Sequence, residues 1–292
     1  MVSEVAMIGV GALGLAMAEG LIAAGIGVAG YRRGSLADLV AAGGTAAGSI
    51  GEALAGRKVV VTCLPDEAAL EEVFSRDGGL LASAVPGLVV IETSTTSVEE
   101  KRRQAARLAK AGGKLLDCPV SGTPPMLRAG RAAIFASGER AAFDRVRPVL
   151  EAMAVHVRYV GDVGAGTVLK HIATALAGIE CVAIAEAMAY AERAGVDRAA
   201  VVEGVKGSPV TSAIIDVRSA MMASGAHGKD QRMGTMSVFQ QNMELVSEAT
   251  RALGAACPLL ETTIATFAAA IAAGFGEDDQ SAVVEYLARG ET

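Results

Sequence analysis

The N-terminal stretch of this chain limits its fold more than any other feature. An apolar strand pattern over Glu4 to Ile8 leads into Gly9-Val10-Gly11-Ala12-Leu13-Gly14, and a helical pattern from Leu15 to Ala24 follows. In a strand–turn–helix unit, the three glycines of G-x-G-x-x-G allow the tight turn, the approach of a pyrophosphate and close helix–strand packing, while the helix N-terminus attracts phosphate. The pattern predicts a dinucleotide site; the alternative is a glycine-rich turn of another α/β protein. Its predicted cofactor-binding residues are Gly9, Gly11, Ala12, Leu13 and Gly14.

The turn after the second predicted strand, 27–31, indicates which dinucleotide binds. A site for NAD normally has Asp or Glu here to accept hydrogen bonds from the adenosine ribose, but this chain has Arg32-Arg33-Gly34-Ser35. A guanidinium is suited to bidentate contact with phosphate. We therefore expect NADP(H) in preference to NAD(H), with Arg32 and Arg33 on the 2′-phosphate. The alternative is that one or both arginines are solvated turn charges.

The alternation of strands and helices continues through the first half of the chain. Buried-type strands are predicted over 58–64, 88–92 and 114–118, with helices over 68–74 and 98–111. Ligands of doubly wound sheets bind beyond the carboxyl ends of the strands, so Leu64, Pro65, Thr93 and Thr95 are expected to line the cofactor. Two further apolar stretches, 132–137 and 155–160, flank a predicted helix over 141–153 and are expected to extend the same sheet.

A long helical pattern from Gly164 to Gly195 lacks proline and is rich in alanine. About 30 helical residues run roughly 45 Å, more than the width of a small domain. We predict an α/β Rossmann-type N-terminal domain over 1–162, an interdomain helix over 163–195 and an all-α C-terminal domain over 196–292. Lys170 lies near the start of the helix. Beyond it, helices are predicted over 199–205, 213–222, 236–253, 258–273 and 281–287.

Composition excludes several classes of function. With 26 Lys and Arg against 32 Asp and Glu, the net charge is −6 and shows no long runs, which argues against nucleic acid or an anionic membrane as partner. The most apolar stretch, 172–189, is interrupted by Glu180 and Glu186, so we expect a buried helix and no membrane span. The start of the chain does not resemble a signal peptide. Four cysteines without C-x-x-C spacing and three dispersed histidines predict no metal site and a cytoplasmic protein.

Two further motifs connect the chain to a known family. Asp117-Cys118-Pro119-Val120-Ser121-Gly122 follows the last predicted strand of the first series, and Gly164-Ala165-Gly166-Thr167-Val168-Leu169-Lys170 opens the long helix. With the N-terminal glycines, the Leu64-Pro65 turn and the tail Asp279-Gln280-Ser281-Ala282, they resemble the β-hydroxyacid dehydrogenase family, which includes 3-hydroxyisobutyrate dehydrogenase and tartronate semialdehyde reductase. The resemblance covers nearly the whole chain.

The resemblance implies an activity and a set of site residues. It implies interconversion of a β-hydroxy acid, or a related alcohol, and its aldehyde or ketone, with Lys170 as general acid and base; the arginines after the second strand make NADP(H) the expected cofactor. Ser121 and the N–H groups around Gly122 and Thr123 would bind the carboxylate of a small-molecule substrate, as a nest of donors can. It also implies a homo-oligomer, either a dimer or a tetramer.

Three positions depart from the family pattern. Thr174 stands where the family has Asn, and Gln241-Asn242 is the best match to a Lys-Asp pair. We keep Thr174, Gln241 and Asn242 as predicted substrate-binding residues and expect a bulkier or less charged substrate, or weaker turnover. Two alternatives remain. One is an imine reductase, which shares this architecture, although those enzymes generally lack Lys at the position of Lys170. The other is a non-catalytic NADP-binding sensor.

Overall fold

A computed structural model, which describes residues 2–290, divides the chain into two units. The first ends at Lys170 and the second begins at His171. The predicted domain limits at 162 and 195 remain predictions.

A six-stranded parallel sheet forms the centre of the first unit. Its strand order is β3-β2-β1-β4-β5-β6, so the order reverses between β1 and β4. In open α/β sheets, such a reversal leaves a crevice at the carboxyl ends of the two strands, where ligands bind. The strands are β1 (Glu4–Ile8), β2 (Gly27–Tyr31), β3 (Thr45–Ala46), β4 (Val59–Thr62), β5 (Val89–Glu92) and β6 (Lys114–Asp117).

Helices cover both faces of this sheet. Successive side chains of a strand point to opposite faces, and in β1 Val5 and Met7 belong to one buried apolar cluster while Ala6 and Ile8 belong to another. Both faces are therefore core, which explains why these strands are continuous apolar runs. The Rossmann-type prediction is confirmed. The helices of this unit are α1 (Ala12–Ala23), α2 (Ala37–Ala41), α3 (Ile50–Leu54), α4 (Glu67–Ser75), α5 (Val98–Lys110), α6 (Pro124–Arg128) and α7 (Arg140–Met153).

A second, three-stranded sheet corrects one expectation. The stretches predicted to extend the main sheet instead form β8 (Ala133–Ala136) and β9 (His156–Tyr159), which pair with β7 (Val120–Ser121) in the order β7-β8-β9. The extension was wrong because Pro119, two residues after β6, has no N–H group to donate to the main sheet, and from Val120 the chain pairs with β8 instead. The backbone groups of Asp117 and Ser137 still form an isolated bridge between the two sheets.

The second unit is helical, as predicted. Its buried core includes Met188, Met222, Met243 and Phe267. Its first helix, α8, begins in the first unit. The helices are α8 (Ala165–Arg193), α9 (Arg198–Val205), α10 (Ala213–Ser224), α11 (Met236–Ala252), α12 (Pro258–Ala270) and α13 (Val283–Arg289), with a π-helical turn over Ile271–Phe275 and a 3₁₀ turn over Gln280–Ala282.

Two helical stretches, Ala165–Arg193 and Pro258–Phe275, are long and apolar enough to cross a membrane. Length and composition alone are weak grounds for such an assignment, since core helices of globular proteins meet the same criteria.

Candidate active site

The glycine turn after β1 has the geometry that a dinucleotide needs. Gly9 adopts a φ of +93°, and a Cβ on it would overlap the carbonyl oxygen of Cys63, while a Cβ on Gly14 would overlap the carbonyl oxygen of Gly9. A Cβ on Gly11 would meet nothing within 4 Å among the described residues. Gly11 is the N-cap residue of α1, and no side chain of the described residues caps the helix there, so the first N–H groups of the helix are available. These features fit a pyrophosphate.

The two arginines after β2 have different surroundings. Arg32 is half-buried, and its Nη1 donates a hydrogen bond to the Val10 carbonyl oxygen at 2.6 Å, inside the glycine turn. Arg33 is exposed, and its Nη1 lies 3.7 Å from Oε2 of Glu72. The structure therefore brings Arg32 next to the glycine turn, whereas Arg33 faces a carboxylate on α4.

The turns after β4 and β5 are tied to each other. The Leu64 N–H donates to Ser94 Oγ at 2.8 Å, and Thr93 Oγ1 donates to the Thr62 carbonyl oxygen at 2.7 Å. Because Ile8 pairs with Thr62 and Thr62 with Glu92, these turns lie at the same edge of the sheet as the glycine turn. Leu64, Pro65, Thr93 and Thr95 are thus brought to the carboxyl edge, as predicted from their positions after the strands.

The predicted substrate residues of the first unit form a short strand-to-helix connection. Ser121 ends β7, Gly122 adopts a φ of +148° and Thr123 caps α6, and all three are half-buried. Pro124 and Pro125 follow, so the first two positions of α6 have no N–H group. Thr123 Oγ1 is buried and has no hydrogen-bond partner among the described residues. That hydroxyl and the N–H groups of the connection are therefore suited to an external oxygen ligand.

Lys170 lies in the second turn of α8, and the glycines before it explain the position of that helix. Gly164 adopts a φ of +101°, and a Cβ on Gly166 would overlap the carbonyl oxygen of Phe135. The Lys170 side chain is half-buried, and no carboxylate of the described residues forms an ion pair with it. Burial lowers the pKa of the Lys170 amine to about 8. A lysine with such a pKa can both donate and accept a proton near neutral pH.

A buried cluster of charged side chains, which the sequence analysis missed, is hydrogen-bonded to the start of α8. The side chains of Glu92, Lys101 and Asp117 are fully buried, and Lys101 forms ion pairs with both carboxylates. Burial lowers the pKa of Lys101, while the charge of Asp117 raises it. Two sequence signals point to the cluster: β5 and β6 both end in an acid, and Lys101 lies seven residues before Leu108 on the buried face of α5.

The remaining predicted residues lie in the second unit. Thr174, on α8, is buried, whereas on α11 Gln241 is exposed and Asn242 is half-buried. Their predicted roles in substrate binding stay predictions. Within residues 2–290, no group of three or more His, Cys, Asp or Glu side chains has the arrangement of a metal site.

In the comparison with known proteins, each half of the chain matches a family profile. The profile described as the NAD binding domain of 6-phosphogluconate dehydrogenase matches residues 4–161, and that described as NAD-binding of NADP-dependent 3-hydroxyisobutyrate dehydrogenase matches 164–287. The chain is 30% identical to the NAD-dependent L-serine dehydrogenase of Pseudomonas aeruginosa, with 96% of each chain covered. It is 31% identical to the L-threonate dehydrogenase of Pectobacterium atrosepticum, with 96% and 93% covered.

Solved structures show the same likeness. A 3-hydroxyisobutyrate dehydrogenase from Mycobacterium tuberculosis, determined with L-serine, matches with a TM-score of 0.88 at 27% identity over 98% of this chain and 99% of that one. The 3-hydroxyisobutyrate dehydrogenase of Salmonella typhimurium matches with a TM-score of 0.85 at 31% identity, covering 97% and 99%. An imine reductase of Streptomyces aurantiacus matches less well, with a TM-score of 0.63 at 27% identity, again covering 97% and 99%.

Proposed function

Since the chain belongs to the β-hydroxyacid dehydrogenase family, and is thus an NAD(P)-dependent dehydrogenase or reductase, we propose that it uses NADP(H) and Lys170. The proposed reaction interconverts a β-hydroxy acid, or a related alcohol, and its aldehyde or ketone. The observation that carries the proposal is the half-buried Lys170 amine, whose pKa burial lowers to about 8.

Lys170 moves the proton of the reaction. The nicotinamide, when bound, supplies or accepts the hydride at the carbinol carbon. In reduction the Lys170 ammonium donates a proton to the carbonyl oxygen; in oxidation the neutral amine accepts the hydroxyl proton and limits negative charge on that oxygen. A pKa near 8 leaves both forms populated at neutral to mildly basic pH, so one residue serves both directions.

The substrate carboxylate is proposed to bind at the connection between β7 and α6. Ser121, Gly122 and Thr123 offer hydroxyl and N–H donors, and the Thr123 hydroxyl has no other partner in the described part of the chain. The two relatives are named for L-serine and L-threonate, which are both small hydroxy acids. We propose a substrate of this class, with Thr174, Gln241 and Asn242 contacting the part of it that differs between family members.

NADP(H) is proposed over NAD(H) because of Arg32 and Arg33. Arg32 is held at the glycine turn by its bond to Val10, with further N–H groups for a 2′-phosphate, and Arg33 follows it. The profile that matches the second half of the chain is described as NAD-binding of NADP-dependent 3-hydroxyisobutyrate dehydrogenase, whereas one relative is described as NAD-dependent.

The substrate class is tested by following NADPH and NADH absorbance with a panel of β-hydroxy acids, semialdehydes, plain ketones and cyclic imines. We expect turnover of a hydroxy acid and its carbonyl partner. Turnover of imines alone would place the chain with the imine reductases, to which it is structurally less similar. Tight NADPH binding without turnover of any compound would favour the alternative of a non-catalytic NADP-binding sensor.

The cofactor preference is tested with Arg32→Ala and Arg33→Ala. Loss of a charge-assisted contact to phosphate is worth about 1.5–3 kcal/mol, so Arg32→Ala should raise the Kd of NADPH about tenfold or more and leave that of NADH within about twofold. Arg33→Ala, whose guanidinium also faces Glu72, should have a smaller effect of the same kind. Equal weakening of both cofactors by Arg32→Ala would contradict the proposed phosphate contact.

A further inference from the structure

Asp117 binds the first turn of the helix that carries Lys170. Its Oδ2 accepts a hydrogen bond from the Thr167 N–H at 2.9 Å, and its Oδ1 accepts one from Thr167 Oγ1 at 2.8 Å. The Gly166 N–H donates to Ser137 Oγ at 3.0 Å, and that hydroxyl lies 3.1 Å from Asp117 Oδ2. A carboxylate at a helix N-terminus satisfies free N–H groups and complements the dipole. The helical turn that precedes Lys170 is thus bound by one buried carboxylate.

Lys101 keeps that carboxylate in place. Glu92 and Asp117 end adjacent parallel strands and pair with each other in register, so two buried acids stand side by side. Like charges without water repel strongly, and a cation between them removes the repulsion. The Lys101 ammonium pairs with both acids, lying 3.4 Å from Asp117 Oδ1.

The same ammonium reaches the predicted cofactor site. Lys101 Nζ donates to the Ser94 carbonyl oxygen at 2.8 Å, and Ser94 Oγ accepts the Leu64 N–H at 2.8 Å. Lys101 therefore contacts both the residue that holds the start of α8 and the turn that holds Leu64.

We propose that Lys101 is a positioning residue that acts through Asp117 and Thr167 on Lys170. Through Ser94 it also fixes the turn that lines the cofactor. Lys101 thereby couples the position of Lys170 to that of the turn predicted to line the cofactor, since both depend on one buried charge. The inference rests on the proposed function, because it needs Lys170 as the acid and base.

Thr167→Val and Thr167→Ser form the first test. Valine has nearly the shape of threonine but lacks the hydroxyl that binds Asp117, whereas serine retains it. A small misplacement of a catalytic group lowers rates by one to two orders of magnitude, so Thr167→Val should lower kcat about tenfold and leave the KM for NADPH within about twofold. Thr167→Ser should recover kcat to within about threefold of the wild type. Equal kcat values for valine, serine and wild type would overturn the proposal.

Lys101→Met, with the exposed Lys110→Met of the same helix as control, is the second test. Lys101→Met should lower kcat and raise the KM for NADPH, each about tenfold, while Lys110→Met should change neither by more than about twofold. A loss of stability in Lys101→Met with both kinetic constants unchanged would show a merely structural residue. If Lys101→Met does not fold, the comparison of Thr167→Val with Thr167→Ser decides whether the proposal stands.

Lys170→Ala separates this inference from the proposed function. Turnover that survives Lys170→Ala would refute the assignment of the proton donor itself. Loss of turnover in Lys170→Ala, with Thr167→Val fully active, would refute only the positioning role.

Discussion

Lys101 and Lys170 show how surroundings give one residue type two different properties. Lys101 is buried with two carboxylates, whose negative charges its ammonium balances, and the ammonium also donates to a carbonyl oxygen. Burial lowers the pKa of Lys170 to about 8, and no carboxylate in the described chain pairs with it to restore the usual value. The first lysine is held by its partners in the positioning role proposed above, and the second can exchange its proton.

The pH dependence of turnover follows from the lowered pKa of Lys170. Reduction needs the ammonium, so kcat for reduction should be level below about pH 8 and fall as the pH rises through that value. Oxidation needs the free amine, so kcat for oxidation should rise through the same pH and level off above it. Initial rates between pH 6 and pH 10, each at saturating cofactor and substrate, measure both curves. If kcat changed with pH in the same direction for reduction and for oxidation, a single acid–base group would be contradicted.

At the level of elements, the sequence predicts what depends on local pattern. The predicted bounds of β1 and β2 match the structure to the residue, because Gly9 ends the first apolar run and Arg32-Arg33 ends the second. The prediction for the second sheet is wrong because β7 has two residues, too few for a recognisable pattern, and because its antiparallel pairing with β8 joins residues more than ten positions apart. The cluster around Lys101 was missed for a related reason. In a helix rich in Arg and Lys, a single buried lysine is recognised only when the strand-end acids that it contacts are considered with it.

The start of α8 predicts a contrast between two glycines. A methyl group on Gly166 would overlap the carbonyl oxygen of Phe135, whereas one on Gly204, in α9, meets nothing within 4 Å in the described structure. Overpacking costs about 1–3 kcal/mol, and Gly→Ala at an unstrained helical position gains about 0.4–1 kcal/mol. Gly166→Ala should thus lower the free energy of unfolding and Gly204→Ala should raise it slightly. Urea unfolding measures both; equal effects would show that α8 does not lie so close to β8.

On the scale of the whole chain, each unit has its own buried core, and one continuous helix begins in the first and ends in the second. In its second-unit part, α8 exposes two large apolar side chains one turn apart, Ile172 at 49% and Leu176 at 52%. Apolar groups repeated along one face of a helix are typical of protein contact surfaces. They agree with the homo-oligomer that the family resemblance implies.

The oligomer is tested by light scattering at micromolar concentration. For a chain of 29.5 kDa, we expect a mass about two or four times larger. Leu176→Asp should lower that mass, because an aspartate in an apolar contact loses its hydration. Leu253→Asp, at a residue that is 81% exposed, serves as control and should leave it unchanged. A wild-type mass equal to one chain would contradict the expected homo-oligomer.

The central claim, that Lys170 transfers the proton, is tested most directly by amine rescue of Lys170→Ala. With the substrate found in the panel, kcat for oxidation by this variant should fall about a thousandfold, within the range of general acid–base contributions, while the Kd of NADPH stays within about twofold. Small primary amines should then restore part of kcat, increasingly with amine concentration, because a free amine can occupy the space that the side chain leaves. An active Lys170→Ala enzyme, or an inactive one with intact cofactor binding that no amine restores, would contradict the account.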